Sequence, residues 1–443
     1  MKNFVDNRIL LTSSAIACAV LLSTSASAQV ANLQITNKGV SPASNTFGSF
    51  NNSSLTRDRD VQNALDLLAD FYPSVTVSYT QHDNIRRRND VQESDSRLVI
   101  EPSLAYRNDF GRHSLYLSGS LSTSKHNEFD QEDTDTTNLR GLLRLDVSKR
   151  FDVEINASLL NTFEERGASG TRTLGSQGQL VNADEFDQGP DEVDINTIGA
   201  DLIYGRGISR LNAIVGVEQS STEFQNNFQD GTLFADRDRD VDSIHFDVSY
   251  ELGAKLRAFG RLEQSEIDYS RSSDSLDSDL DTILVGLRYS PSAKLNGVLS
   301  VGKQDKDFES ESREDYDGSS YYANLNYALK PYSVISLNAS QLVEEAADDS
   351  SDFFVSELIG LSWSHALNER WSVGAYTKTI NDEFNNGRED DFDDIGLSVD
   401  YTWSRWLTAG LQFGKIERES NRAGIAYEDQ YVGLTLRSDL RKF

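Results

Sequence analysis

The chain repeats one unit nine times: a run of alternating apolar and polar residues, a tight turn, a second alternating run and a long acidic loop. In one unit, Ile244, Phe246 and Val248 alternate with polar residues, and after a turn Leu256 and Ala258 continue the alternation. A period of two is typical of a β-strand with one apolar face. The repeat therefore restricts the chain to folds that pair many such strands.

About 18 strands can be counted between residues 73 and 443. An even number of strands, with short turns on one side and long loops on the other, is typical of an antiparallel barrel that crosses a membrane. Open sheets are excluded there because unpaired backbone groups are not hydrated in lipid. The alternative is a soluble all-β protein, but its outward face would be polar. The sequence predicts an all-β fold, a transmembrane up-and-down β-barrel.

The first 72 residues lack this repeat. Lys2 and Arg8 precede an apolar stretch that ends in Ala26-Ser27-Ala28, which predicts a signal peptide over residues 1–28. Residues 29–72 are expected to form a periplasmic lead-in with a short amphipathic helix that Pro73 ends. Residues 73–443 then form the predicted outer-membrane barrel. The single cysteine lies in the signal peptide, so no disulfide is expected in the mature chain.

Aromatic residues recur beside the short turns. Their amphipathic rings favour the level of the lipid headgroups, so the row predicts an aromatic girdle at one membrane interface. The predicted girdle consists of Tyr106, Phe151, Tyr204, Tyr250, Tyr289, Trp363, Trp371, Trp403 and Trp406. In this orientation the short turns face the periplasm and the acidic loops face outward.

Charged residues of both signs alternate with the apolar strand positions. They would be costly in a dry core unless paired, so they favour a polar lumen. The basic candidates for the lumen are Arg140, Arg144, Lys255, Arg257 and Arg261. The acidic candidates are Glu101, Asp146, Glu154, Asp247 and Glu263. The basic residues either form rows that guide anionic solutes or sugar-acid polymers, or pair with the acidic residues and stiffen the wall.

The long loops hold 50 of the 71 Asp and Glu residues, so the net charge of −29 belongs largely to one end of the barrel. Such acidity argues against nucleic acid as a partner, whose phosphates would be repelled. The acidic loops either keep the protein soluble or bind divalent cations at a lipopolysaccharide surface. Asp236, Asp238, Asp240 and Asp242 are similar to the start of a calcium-binding loop, but Val241 stands where that loop needs glycine. We predict no metal site and no cofactor.

One histidine is expected in the lumen. His245 precedes Asp247 by two residues, and the pair could orient a base for hydrolysis. No nucleophile motif of the Gly-x-Ser-x-Gly type accompanies them. We therefore predict no catalytic residue, and a barrel hydrolase acting on lipid or surface sugar is the weaker alternative.

The predicted barrel opens with the strand Pro73-Ser74-Val75-Thr76-Val77-Ser78-Tyr79, followed by Asp83-Asn84-Ile85-Arg86. This opening resembles members of the putative beta-barrel porin 2 family, and the likeness extends over about residues 70 to 443. The resemblance implies an outer-membrane barrel. Because many genes of that family lie in exopolysaccharide loci, it also implies a part in polysaccharide synthesis or export.

The end of the chain departs from the usual barrel signal. Phe443 is typical of barrels that the assembly machinery recognises, but Arg441, Asp439 and Arg437 occupy alternate positions that are usually apolar. The expected partners are outer-membrane lipid and lipopolysaccharide, the barrel assembly machinery and polysaccharide export proteins.

The sequence thus predicts a porin-like barrel in the outer membrane of a Gram-negative bacterium, without enzymatic activity. Its expected role is that of a conduit or structural component for export of an extracellular polysaccharide. The first alternative is a general diffusion porin for small solutes. A loop folded into the lumen would favour that alternative, and residues 161–193, the longest loop, are the candidate.

Overall fold

The computed structural model describes residues 70–89, 91–164, 166–168, 189–205, 209–225, 237–270, 276–292, 294–346 and 351–439. The predicted signal peptide, most of the lead-in and the last four residues lie outside these ranges. The predicted helix continues to Tyr72, but Phe71 and Tyr72 belong to a strand and pair with Tyr106 and Ala105. The helix is wrong over these residues, because pairing with a neighbouring strand prevails over the helical spacing of their side chains.

Eighteen strands make up the wall. Their bounds are β1 Asp70–His82, β2 Asp95–Phe110, β3 His113–His126, β4 Thr134–Asp146, β5 Phe151–Phe163, β6 Glu192–Tyr204, β7 Leu211–Phe224, β8 Arg239–Gly253, β9 Leu256–Tyr269, β10 Ser278–Ser292, β11 Leu295–Phe308, β12 Tyr316–Lys330, β13 Ser333–Glu345, β14 Phe353–Ala366, β15 Trp371–Phe384, β16 Glu389–Ser404, β17 Leu407–Ser420 and β18 Tyr427–Asp439. Within the described ranges, a single 3-10 turn, Asp130–Glu132, follows β3. Among the described residues, no helix has the length and apolarity of a membrane span.

The strands form one closed sheet. Each pairs antiparallel with its sequence neighbours, and β1 closes the ring by pairing with β18, with Ser74 opposite Asp439 and His82 opposite Tyr431. Closure removes the free sheet edges that lipid does not tolerate. The predicted 18-stranded antiparallel barrel is confirmed.

Apolar side chains point outward along the half of each strand nearest the short turns. On β8, Ile244 and Phe246 are exposed, whereas the alternate residues His245 and Asp247 are buried. The exposed apolar band continues around the barrel and includes Trp403, which is 71% exposed. A continuous apolar surface of this kind marks contact with lipid.

Toward the long loops the outward positions become polar. Asp240 and Asp242 precede Ile244 on the outer face of β8, and Asp391 and Asp393 precede the apolar outward residues of β16. Strands of 13 to 16 residues exceed the roughly 9–11 residues that a tilted membrane crossing needs, so their ends project beyond the lipid. The sequence also predicts a long acidic loop over residues 379–394, but most of this segment is strand, because paired strands outside lipid lack the apolar alternation used to find them.

The predicted girdle residues lie at the short-turn end of the wall. The ring centroids of Phe151 and Tyr204 are 5.3 Å apart, and those of Trp371 and Tyr401 are 4.7 Å apart. Tyr204 is half-buried, as is Tyr106. The other predicted girdle residues are exposed: Phe151, Tyr250, Tyr289, Trp363, Trp371, Trp403 and Trp406.

Candidate functional site

The lumen has two kinds of wall. In the charged sector, β5–β10, most inward side chains are buried against one another. In the two polar sectors, β2–β4 and β12–β14, the inward side chains largely remain accessible. Since an accessible inward face borders open space, the passage follows the polar sectors.

Paired charges fill the centre of the charged sector. Arg261 lies 2.5 Å from Glu263 and 3.7 Å from Asp247. Arg257 donates a hydrogen bond to Ser249 at 3.3 Å and lies 3.9 Å from Glu251. Arg261 and its carboxylates are nearly inaccessible, so this cation neutralises buried anions and does not present a free charge to a solute.

The two arginines of β4, Arg144 and Arg140, differ in their exposure to the lumen. Arg144 is buried, 3.3 Å from Asp152 and 4.0 Å from Glu154 on β5. Arg140 is exposed in the lumen, and its Nε donates to Asn138 Oδ1 at 3.2 Å. Of the two, Arg140 is the one that a solute in the lumen would meet.

The remaining predicted lumen residues lie near the ends or in the open part of the wall. Lys255 is exposed in the turn between β8 and β9, so its predicted place in one row with Arg257 and Arg261 is wrong. The turn occupies residues 254 and 255, and β9 begins only afterwards. Asp146 ends β4 and is half-buried, and Glu101 is half-buried on the inner face of β2.

His245 is enclosed in the charged sector. Its Nε2 lies 3.3 Å from Asp201 and 3.8 Å from Asp247, and the residue is 4% exposed. Within the described residues neither ring nitrogen has a hydrogen-bond partner. The ring packs over Gly216, where a Cβ would overlap it. A lipid or sugar substrate has no access to a base in this position.

The three described aspartates of the segment that is similar to a calcium loop do not converge. Asp236 is outside the described residues, and Asp238 Oδ1 accepts a hydrogen bond from the Phe224 backbone at 2.7 Å. Asp240 and Asp242 face outward on β8. Among the described residues, no group of three metal-ligating side chains is close enough to hold an ion.

Amide and hydroxyl groups line the second polar sector. Asn324 Nδ2 donates to Asn338 Oδ1 at 2.6 Å, and Asn326 Nδ2 donates to Asn324 Oδ1 at 3.1 Å. The Ser336 hydroxyl donates to Asn326 Oδ1 at 2.7 Å. These contacts form a continuous amide row that faces the lumen across β12 and β13.

Hydroxyl groups also line the first polar sector, where a cavity of about 310 Å³ lies beneath the long-loop mouth. Arg97 and Glu101 bring both signs of charge to the cavity, and His82 Nδ1 at its upper edge lies 2.8 Å from Asp429. Its hydroxyl lining includes Thr76, Ser78, Ser120, Ser122, Thr136 and Thr435.

The start of the longest loop crosses the mouth. Arg418 and Tyr427, on β17 and β18, donate to the Gly167 carbonyl at 2.9 and 3.3 Å. Arg166 Nε donates to Glu132 at 2.7 Å. Gly167 has a φ of +76°, and a Cβ there would overlap the Tyr427 ring, so the crossing requires glycine. Arg166 also lines the cavity, so the described part of loop 161–193, the candidate for a loop folded into the lumen, lies across the mouth.

Arg237 holds both ends of the same loop. It lies 2.9 Å from Glu164, which follows β5, and 3.3 Å from Asp191, which precedes β6. Its guanidinium also stacks 3.9 Å above the Phe224 ring. Burial lowers the pKa of Arg237 to about 10, so the residue stays charged at neutral pH.

The upper ends of β13 and β14 enter the mouth from the opposite side. The hairpin tip, defined as residues 342–346 and 351–354, has Val343 and Glu344 both buried, and Phe353 and Phe354 both buried. In strands of the charged sector such as β6, β8 and β9, by contrast, buried residues alternate with more exposed ones. Burial of both faces therefore shows that this tip lies inside the barrel.

Side chains from two other strands hold the hairpin tip. Lys306 Nζ on β11 lies 2.5 Å from Glu345, and the Tyr269 hydroxyl on β9 donates to the same carboxylate at 2.6 Å. Gln304 Oε1 on β11 accepts from the Val343 backbone at 3.2 Å. Burial alone would raise the pKa of Glu345, but Lys306 and Arg239 hold this pKa below its ordinary value.

An apolar cluster surrounds the same tip. Val343 and Phe353 pack with Val241, Leu280 and Phe308 from β8, β10 and β11. Sequence reasoning missed this element, because Val343 continues the outward parity of Leu337 and Ala339 as it would in any wall strand. The sequence feature that could have indicated it is the pair of adjacent phenylalanines, Phe353 and Phe354, because adjacent strand residues point to opposite faces and both of these are apolar.

The comparisons with known proteins give a family and a set of structural neighbours. The family model described as putative beta-barrel porin 2 matches residues 71–440. The structure is similar to OccK3 (OpdO) of Pseudomonas aeruginosa, with 12% identity, a TM-score of 0.45, and coverage of 87% of this chain and 100% of that one. It is also similar to OccAB4 of Acinetobacter baumannii, with 10% identity, a TM-score of 0.44, and coverage of 84% and 98%. No curated protein matches significantly.

Proposed function

Since the chain belongs to the putative beta-barrel porin 2 family and is a porin-like outer-membrane barrel, we propose that it is a conduit for export of an extracellular polysaccharide. The observation that supports this most is the row of uncharged amides and hydroxyls along the open part of the lumen, beside a few accessible charges such as Arg140 and Glu101. Amides and hydroxyls border the passage in both polar sectors, whereas most of the charges are buried in pairs.

Such a lining suits a carbohydrate chain. Each sugar hydroxyl donates and accepts hydrogen bonds, and serine, threonine and asparagine side chains do the same. Transport requires binding that is favourable enough for entry but weak and repeated enough for exit. A row of equivalent amides such as Asn324, Asn326 and Asn338 offers repeated sites of this kind. A polymer can therefore advance by exchanging one set of hydrogen bonds for the next.

In the proposed orientation the short turns face the periplasm of a Gram-negative cell, and the acidic long-loop mouth faces outward. The apolar band contacts outer-membrane lipid, and the projecting strand ends contact lipopolysaccharide. Polysaccharide export proteins would deliver the chain at the short-turn end, where the described wall has no inward-folded segment.

The test of the conduit is single-channel recording with a neutral oligosaccharide as blocker. We expect the double variant N324L/N338L to shorten the blocks severalfold, since the amide row is lost. The control is N381L, because Asn381 faces outward beyond the lipid and contacts Asp391 at 2.7 Å. Equal block times in all three proteins would contradict the proposed lining.

A deletion strain tests the biological role. We expect loss of the capsule or biofilm matrix, with restoration by the wild-type gene. Robust channel conductance together with a normal matrix would refute the export role.

The second candidate is a general diffusion porin for small solutes. It is favoured by the described part of loop 161–193, which crosses the mouth as far as β17 and β18. A crossing segment narrows the passage and admits small molecules more readily than a polymer. Rapid uptake of mono- and disaccharides into proteoliposomes, with an unchanged matrix in the deletion strain, would select this candidate.

A further inference from the structure

We propose that the hairpin tip is a movable gate with two alternative positions, here called seats. One seat lies inside the barrel, and the other lies in the barrel wall beside β12. In the structure the tip occupies its inward seat. The proposal needs the barrel to be a channel, but it does not depend on which solute passes.

The second seat is the upper end of β12. This strand pairs with β13 only from Tyr321 opposite Gln341 toward the short turns, although it pairs with β11 as far as Tyr316. The wall is therefore split between β12 and β13 above Tyr321. Continuing the register would place Val343 opposite Ser319 and Glu345 opposite Asp317.

The split between β12 and β13 lies above the hydrocarbon layer, where an open wall is tolerated. Asp317 and Ser319 are polar residues on the outward parity of β12, beyond the apolar outward residues Ala323 and Leu325. A strand edge is forbidden in hydrocarbon but is hydrated above it. The wall can therefore stay open at this height without an unpaired backbone in lipid.

The two seats offer different contacts to the same tip. The inward seat supplies the Lys306 and Tyr269 contacts to Glu345 and the apolar cluster around Val343. The wall seat would supply backbone hydrogen bonds along β12, but it would expose Val343 and place Glu345 opposite Asp317, and like charges directly opposite are unfavourable. Each seat thus lacks what the other provides, so the tip exchanges one set of contacts for the other when it moves.

The tip can move without breaking its own pairing. Glu345 pairs with Phe353, and β14 remains paired with β15 up to Phe354 opposite Phe384. The split between β12 and β13 is therefore the line along which the wall separates. In the inward state the tip narrows the mouth, and in the wall state it completes the wall and leaves the mouth wider.

The experiment fixes the tip in each seat. The single native cysteine is Cys18, in the predicted signal peptide, so introduced cysteines report alone. The pair S319C/V343C would form a disulfide in the wall seat, where directly opposed residues lie within bonding distance. The pair Q304C/V343C, joined by a short bifunctional thiol reagent, would hold the inward seat.

Single-channel conductance of the full-length protein in planar bilayers is the readout. We expect the oxidised S319C/V343C pair to conduct severalfold more than wild type, and reduction to reverse the change. The bridged Q304C/V343C protein should conduct less than wild type and show no transitions to the larger level. Single-cysteine variants control for the substitutions themselves.

The outcomes separate the gate from the channel. If the S319C/V343C disulfide does not form although both thiols are reactive, or if both fixed proteins conduct equally, the gate is refuted and the channel stands. If no form conducts, including the oxidised S319C/V343C pair, the channel is refuted and the gate with it.

Discussion

Lys306 and Lys303 lie on the same strand, β11, and hold their charges in opposite environments. Lys306 points inward and is buried with Glu345, whereas Lys303 points outward and is half exposed between Asp305 and Asp317. A buried ion pair is sensitive to loss of one partner, because the other charge is left without water. An exposed pair is screened and contributes little.

We expect K306M to release the hairpin tip and K303M to leave it in place. Loss of one partner of a buried pair costs about 3–5 kcal/mol. The measurement is the rate at which a cysteine at position 343 reacts with a membrane-impermeant thiol reagent, in both backgrounds. Similar labelling rates would show that the ion pair does not hold the tip.

This ion pair is formed at neutral pH. The pKa of Glu345 is held below its ordinary value of 4.5, so its contribution is present above that value and is lost as the pH falls below it. Labelling at position 343 should therefore accelerate only in acid below about pH 4.5.

Two inward-facing glycines form a second contrast. A Cβ on Gly302 would overlap the Ile283 carbonyl oxygen, whereas a Cβ on Gly360 would meet no atom. We expect G302A to lower the temperature at which the folded barrel loses its fast gel mobility, because backbone cannot move aside. G360A should leave this temperature unchanged or raise it slightly, since alanine loses less entropy on folding. Equal losses in both would contradict the close approach of β10 and β11.

At the scale of the strand, the outward face of a single strand contacts both lipid and water. Val285 lies in the apolar band of β10, and Asp281 lies on the same face of the strand, nearer to the long loops. The carboxylates of Asp279, Asp305 and Asp307 lie near Asp281 and repel its charge. The strand therefore passes from lipid into an acidic aqueous layer within four residues.

This boundary predicts opposite responses to one substitution. V285K should cost about 2–4 kcal/mol, the usual loss for lysine near the bilayer centre. D281K should cost nothing and relieve repulsion among the carboxylates. The check is the free energy of unfolding in urea, measured in vesicles. A large loss in D281K would mean that the lipid boundary lies closer to the long loops.

Individual strands also show which features of the fold could be predicted from the sequence. The alternation around Ile244 and Phe246 identifies the lipid face correctly, because lipid imposes the same demand on every strand it contacts. The inward bend after Gln341 lay beyond such reasoning, since its cause is Lys306 and Phe308 on β11, two strands away. Lys255 was misplaced because a period of two cannot locate the first residue of a strand after a turn.

At the scale of the molecule, charge is distributed along the barrel axis. The net charge is −29, and 50 of the 71 acidic residues lie in the segments predicted as long loops. An acidic mouth concentrates cations within a Debye length, about 10 Å in 0.1 M salt and about 3 Å in 1 M salt.

The barrel should therefore prefer cations over anions in dilute salt and lose most of this preference in concentrated salt. Reversal potentials in KCl gradients at about 0.1 M and about 1 M measure the change. The preference arises at the mouth, because most charges in the lumen are paired. A selectivity that does not depend on salt would instead locate its origin in the buried charged sector.

The seam between β1 and β18 has a consequence for biosynthesis. Ser74 pairs with Asp439, so the bond that completes the ring joins residues 365 positions apart (439 − 74). No earlier strand can take the place of β18 without changing the circumference. A premature stop anywhere, even one that removes only the final strand, leaves two unsatisfied edges in hydrocarbon. The gene should therefore tolerate long insertions in its loops but behave as all-or-none toward truncation.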